Sequence, residues 1–407
     1  MVEPADLPYL EGYRVLDFTQ YLAGPACTRL MAELGAEVIK VELPPHGDPM
    51  RAAVPRKHQR SGAFIQQNRG KQSLCVDYRT DTGRAIIEKL VAHVDVVVEN
   101  FSPGVMARRG LGYDDLRAVN PRVVMVSVSG FGQDGPLAGH QSFELIAQGY
   151  GGMMHMTGEP DGPPTFAGLA VGDTNAGVHA FAAIGYALLR RERTGLGMHV
   201  DVSMLDALFQ MQEMAVQAPS LTGGEWQTTR YGGHYEPLSP AGRFKGPEGW
   251  IVLLCAHNQI GNLFEAMGRP ELASDERFRN NNERIRHRAD LTALIEDWMA
   301  TFATDAEVLA NLEEHRVPSG PVLSPAEAIE HPAFVERGTV RWIEDRRAGP
   351  LAIPGFPIRF SDAPPEGDLQ APFLGEHNRS ILVDLLGHDE SGLEALLEAG
   401  VLAAKDR

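Results

Sequence analysis

Cysteine is scarce: the 407 residues hold Cys27, Cys75 and Cys255, far apart and odd in number. That argues against a disulfide framework or a cysteine zinc site and points to the reducing cytosol. Long apolar runs are missing too, with none near the ~18 residues of a membrane span. The opening stretch, MVEPADLPYLEGYR, carries acids where a secretory signal needs basic and then apolar residues. Positive charge is in short supply, 37 Lys and Arg against 54 Asp and Glu, for a net charge of −17. This is the wrong sign for an unspecific nucleic-acid or anionic-membrane binder, though a local basic pocket is still allowed. Also absent are H-E-x-x-H, paired C-x-x-C, G-x-S-x-G and G-x-x-x-x-G-K-[ST], and the 14 histidines show no metal-ligand spacing. Zinc-protease, zinc-finger, α/β-hydrolase and P-loop readings therefore have no support, and no metal site is expected.

What is present is ordinary globular material, 43% hydrophobic and 22% charged, with 43 glycines and 28 prolines for tight turns. At roughly 150 residues per domain the length suggests two or three domains. The N-terminal half alternates short β-rich runs with helical patterns. Strands are expected at Tyr13–Phe18, Ala36–Glu42, Ser73–Tyr78, Asp95–Asn100, Arg122–Ser129 and Met198–Ser203. Helices are expected at Ala26–Leu34, Gly83–Val94, Asp114–Val119, Thr174–Arg193 and Leu205–Ala218. Strand–helix alternation with continuous Val/Ile runs predicts an α/β fold with a Rossmann-like parallel sheet covered on both faces. The first turn lacks G-x-G-x-x-G, so the dinucleotide signal is missing and an NAD-dependent dehydrogenase is disfavoured.

The composition divides the chain into a large domain at 1–218, completed by a C-terminal segment at 340–407, and a smaller α+β domain at 248–323. Residues 219–247 and 324–339 read as linkers, the first carrying an exposed Tyr231-Gly232-Gly233-His234 loop.

One residue stands out for chemistry. Asp173, in Ala170-Val171-Gly172-Asp173-Thr174-Asn175, sits at the mouth of a long helix of small residues. It reads as an N-cap, whose carboxylate accepts backbone N–H bonds, or as a nucleophile that attacks an activated acyl group. The two roles are compatible, because a helix N-terminus favours an anion.

Four blocks then extend the reading: VLDFTQYLAGPACTRLMAELGAEVIKVE, VDVVVENFSPGVMARRGLGYDDL, VGDTNAGVHAFAAIGYALLRRERTGLGMHVDVSMLDAL and FLGEHNRSILVDLLG. In this order, over nearly the whole chain, they resemble the family III CoA-transferases, the CaiB/BaiF group that includes formyl-CoA transferase. The resemblance implies ping-pong transfer of CoA from an acyl-CoA donor to a carboxylic acid acceptor. Asp173 is then the nucleophile and Glu144 a polar orienting group in the active site. It also implies CoA-contacting positions at Gln20, Ala23, Val76, Arg79, Asn100, Phe101, Arg108, Arg109 and Gln141. CoA enters as a substrate, with no tightly bound cofactor, and two copies of the chain interlock in a homodimer.

The chain departs from formyl-CoA transferase at Leu22, Leu43 and Gln141, where that enzyme has glutamine, arginine and lysine. Its glycine-rich lid is poorly matched by Tyr231–His234. A bulkier or less charged acid than oxalate is implied, with the Met153–Met156 run as a candidate pocket lining. The same fold includes α-methylacyl-CoA racemases, but Phe143 stands at their histidine position and His140 lies three residues early, so transferase is the favoured reading.

Overall fold

In the computed structural model the described residues are 8–361 and 369–404; the acidic residues 1–7 lie outside them. They divide into two units. One comprises residues up to Met153, Phe166–Val216 and those from Pro332 onward; the other comprises Met154–Thr165 and Gln217–His331.

The first unit is built on six strands: β1 (Arg14–Asp17), β2 (Glu37–Glu42), β3 (Lys71–Cys75), β4 (Val96–Glu99), β5 (Val124–Ser129) and β6 (Met198–Ser203). Their order is β3-β2-β1-β4-β5-β6 and every pair is parallel. The α/β expectation holds. The Val-rich runs of β4 and β5 are buried throughout, as a sheet covered on both faces requires. Alternate residues feed two cores. Leu16, Ile39, Leu74 and Val97 pack with Ile86 and Leu90 of α2 (Asp81–Val91) on one face. Val15, Val38, Val96 and Val126 pack on the other with Ala176 and Ala180.

The remaining helices of this unit that bear on the site are α1 (Ala23–Glu33), α3 (Tyr113–Val119), α4 (Glu144–Tyr150), α5 (Val171–Thr194) and α6 (Met204–Phe209). Small residues let α5 lie directly on α1: a Cβ at Gly177 would stand 2.5 Å from the Ala23 carbonyl oxygen and 3.0 Å from the Ala26 Cβ. The outer edge of β3 is covered by the closing FLGEHNRS block. His377 N–H donates to the Ser73 carbonyl at 3.0 Å, and the Asn378 side-chain oxygen accepts from Cys75 N–H at 2.9 Å. That block covers an edge that would otherwise invite pairing with another chain.

The sequence reading differs from the structure in several places. The helix expected at Leu205–Ala218 ends at Phe209, and a separate one runs Met214–Leu221. The loop-rich stretch 130–172 contains α4 and a single turn at Met153–Met156. The expected linker 219–247 contains a strand of the second unit, and the expected linker 324–339 carries helices Pro325–Glu330 and Pro332–Arg337. High Gly and Pro content marked turns in 219–247, where the strand is set by pairing that composition does not record; in 324–339 the Ser324 and Glu327 capping box starts the first helix.

The second unit has three antiparallel strands, β7 (Ala241–Lys245), β8 (Trp250–Leu254) and β9 (Ser319–Pro321), in the order β9-β8-β7. Ile251 and Leu253 of β8 face inward onto helices Arg288–Met299 and Asp305–Glu314, meeting Leu291, Ile295, Val308 and Leu312. Among the described residues no helix is long and apolar enough to cross a membrane.

Candidate active site

The sheet order locates the site. From β1 the chain runs outward through β2 and β3, whereas from β4 it runs the other way through β5 and β6. The two directions part between β1 and β4, and the carboxyl ends of such neighbouring strands open a crevice where open α/β sheets bind ligands. A cavity of about 440 Å³ occupies this position, a volume in the range of small-molecule sites. Its lining comes from the β1–α1 turn (Gln20, Tyr21, Leu22, Ala23) and the segments after β4 (Asn100–Pro103) and β5 (Gly130, Phe131). Residues Ala138 and His140–Glu144, Asp173 of α5 and Met204 of α6 complete it together with Met50, Val128 and Ser129.

Asp173 is not the N-cap of α5. The cap position is Ala170, whose side chain can accept nothing, and Asp173 stands in the first turn. Glu144 does the capping from a distance in sequence. Its Oε1 accepts from Gly172 N–H at 3.0 Å and from the Gln148 side chain at 2.7 Å, and its Oε2 accepts from Asp173 N–H at 2.7 Å. These bonds satisfy amides that a helix start leaves without partners. The Asp173 carboxyl is thereby released from capping, and among the described residues it makes no hydrogen bond or ion pair. Burial, with the Glu144 charge adding to it, pushes its pKa up to about 7 from 3.8. A desolvated, partnerless carboxylate of raised basicity in a cavity is the state expected of a nucleophile or base.

The structure sorts the other expected residues. Gln20, Ala23, Phe101 and Gln141 line the cavity. Asn100 lines it as well, with its amide partly committed: the oxygen accepts from Gln20 N–H and the nitrogen donates to the Gln20 carbonyl, both at 2.8 Å. It ties the β1–α1 turn to the segment after β4 and keeps one N–H and one oxygen lone pair uncommitted. The Val76 side chain is fully buried in the core. Arg79 is exposed and held by Asp77, two residues back, with two contacts of 2.7 Å. Arg108 is exposed and not part of the cavity lining. Arg109 lies over the Tyr78 ring at 5.1 Å and the Phe101 ring at 6.0 Å, and its buried Nη1 has no acceptor among the described residues. Met153 packs against the α5 face of the core.

Several lining residues had no sequence signal as a site. Tyr21, Met50, Ser129 and Met204 reach the cavity through tertiary placement, and among the described residues the buried Ser129 hydroxyl has no partner. Glu99 at the end of β4 accepts from Phe101 N–H at 2.8 Å. Burial raises its pKa to about 7, against the opposing hydrogen bonds of Ser127 and Phe101.

Comparisons with known proteins give the family. Residues 10–378 match the family described as CoA-transferase family III. A succinyl-CoA–D-citramalate CoA-transferase of Chloroflexus aurantiacus is 38% identical over 96% of this chain and 97% of its own. A formyl-CoA:oxalate CoA-transferase of Streptomyces avermitilis is 36% identical over 97% and 99%. The crystal structure of a CaiB/BaiF family protein from Brucella suis superposes with a TM-score of 0.83 at 35% identity, covering 93% of this chain and 100% of that one. The chain belongs to family III of the CoA-transferases and, like its named relatives, is a CoA-transferase.

Proposed function

We propose that the protein moves CoA between carboxylic acids by double displacement on Asp173. The carboxylate attacks the thioester carbonyl of the donor; the C–S bond breaks, CoA leaves as thiolate, and an acyl–aspartyl anhydride remains. The thiolate then attacks the aspartyl carbonyl, releasing the donor acid and leaving CoA as a thioester of Asp173. The acceptor carboxylate attacks this thioester to form a second anhydride and free thiolate. The thiolate attacks the acceptor's acyl carbonyl, and Asp173 departs as carboxylate. Thioester is exchanged for thioester, so the cycle needs no ATP.

The observation that carries this reading is the partnerless Asp173 carboxyl, with its pKa near 7, in the cavity at the sheet's switch point. Glu144 supports it twice, by fixing the amides of Gly172 and of the nucleophile itself and by raising its basicity. Gln20, Ala23 and Phe101 are the nearest candidates for CoA contact, and Arg109 beside Phe101 for its phosphates. The apolar lining from Leu22, Met50, Phe143 and Met204 suits an acceptor acid with a largely uncharged body. Asp173→Ala is expected to abolish transfer from succinyl-CoA while CoA still binds, and hydroxylamine should trap the acyl group on Asp173 of the wild type. Transfer by the variant within about tenfold of wild type would refute covalent catalysis at this residue.

The exposed apolar side chains of Leu145, Ile146, Tyr150, Val178, Tyr186 and Leu189 support assembly with a second copy, in the interlocked form the family resemblance implies. A monomer mass in light scattering counts against it. The cytosol, where three buried free thiols persist, is the proposed compartment. A second reading, α-proton transfer at a 2-methylacyl-CoA, has one observation in its favour: His140 lines the same cavity as Asp173. Solvent deuterium appearing at the α-carbon without any acceptor acid would select it.

A further inference from the structure

The β1–α1 turn forms one wall of the cavity, and its backbone is held from beneath by side chains that do not meet solvent. Lys40 and Asp48 pair at 2.9 Å, both side chains with 0% exposure. The Asp48 Oδ1 accepts from Tyr21 N–H at 3.1 Å and from Met50 N–H at 2.9 Å. The Lys40 ammonium donates to the Thr19 carbonyl at 2.7 Å. Thr19 N–H donates in turn to Asp17 at 2.9 Å, and Asp17 pairs with buried Lys71 at 3.0 Å. With Asn100 on Gln20, residues 19–21 are each fixed through their backbone.

Tyr21 sits at φ 61°, in the left-handed region that a tyrosine does not choose unaided. Its ring meets Phe143 edge-on, with centroids 6.1 Å apart, and both residues line the cavity together with Gln20 and Met50. A buried ion pair is a poor stabiliser against well-packed apolar residues of the same size. The arrangement makes sense as a means of placing acceptors where two cavity-lining amides need them.

We propose that Asp48, oriented by Lys40, is a positioning residue of the active site. It clamps the Tyr21 and Met50 amides together, holds Tyr21 in its left-handed conformation, and so sets the cavity wall before substrate arrives. Its effect on catalysis rests on the CoA-transfer reading of this cavity; its effect on the backbone does not.

Amide hydrogen exchange on the wild-type protein tests the clamp directly. Peptides covering residues 18–24 and 48–53 are expected to be protected about 100-fold or more over an unstructured chain, equally with and without succinyl-CoA. Exchange at the rate of an open loop, or protection that appears only with succinyl-CoA, overturns the proposal. Two double variants test the consequence. Lys40→Met/Asp48→Asn removes both charges and keeps an acceptor oxygen; Lys40→Met/Asp48→Leu removes the acceptor as well. The Leu form should show a KM for succinyl-CoA about tenfold above that of the Asn form, with kcat changed far less, and fast exchange at 18–24. Equal KM values in the two variants overturn the positioning role, and so does a loss confined to melting temperature. A wild type with protected amides and no CoA transfer to any acid would instead sink the functional reading and leave the clamp standing.

Discussion

The raised pKa of Asp173 makes a demand on stability that can be measured without any substrate. Between 3.8, the value for an unfolded aspartate, and about 7 in the folded protein, the folded state binds more protons than the unfolded chain. Stability therefore falls as pH rises through this window, opposite to the behaviour of a salt-bridged aspartate. Each tenfold change in acidity is worth about 1.4 kcal/mol, so ionising Asp173 costs the fold at most about 4 kcal/mol. Asp173→Asn imitates the protonated acid at all pH values and escapes that cost. The variant should exceed the wild type in stability by a gap that widens by about 2 kcal/mol between pH 5 and pH 7 and levels off above about pH 8. Urea unfolding of both proteins at five pH values from 5 to 9 reads the gap, and contributions from Glu99, common to both, cancel. A gap that stays constant across this range, or a variant less stable than wild type at pH 8, would show that the carboxyl is neither desolvated nor partnerless. The expectation also has a functional side, since a residue whose loss stabilises the fold is kept for what it does.

As a nucleophile Asp173 must be ionised, so kcat/KM for the donor should rise with pH through about 7 and then flatten. Glu144→Gln removes the smaller of the two causes of that pKa, so the rise should move to lower pH yet stay above the ordinary aspartate range; an unmoved profile would deny the electrostatic coupling. The same change weakens the α5 cap, at a cost of about 1 kcal/mol in chemical denaturation. Gly177→Ala should destabilise by about 1–3 kcal/mol because its Cβ meets the backbone of α1. Gly185→Ala, in the same helix with nothing within 4 Å of the added atom, should stabilise by about 0.5–1 kcal/mol; equal effects at the two sites would contradict the packing described. Asp345→Ala leaves the buried Arg60 guanidinium without the carboxylate it now meets at 2.7 Å and 3.2 Å, and should cost about 3–5 kcal/mol in equilibrium unfolding.

The alternation of β-rich and helical patterns placed all six strands of the main sheet within a few residues, because runs such as Val96–Val98 are long, apolar and bounded by turns. The stripe of small residues from Ala176 to Ala187 announced a closely packed helix, and Gly177 against Ala23 shows why. Composition misled where regular elements were short: the strand Ala241–Lys245 lies in a stretch rich in glycine and proline. Among the site residues, Asp173 and Glu144 were legible through resemblance, but their division of labour was not. Arg79 and Val76 were marked as CoA contacts by resemblance; that Asp77 holds the one and the core holds the other's side chain was not legible.

From its sequence alone, then, this protein declares a parallel α/β sheet, its family, and the carboxylate on which its chemistry is proposed to turn. These follow from local periodicity and from motifs that stay contiguous along the chain. The folded arrangement alone decides that Glu144 caps a helix 28 residues away, that the Asp173 carboxyl has no partner among the described residues, and that Asp48 holds Tyr21 across 27 residues of sequence. Hydrogen bonds and burial depend on which atoms meet in space, and a linear pattern carries no record of distances between segments brought together by the sheet.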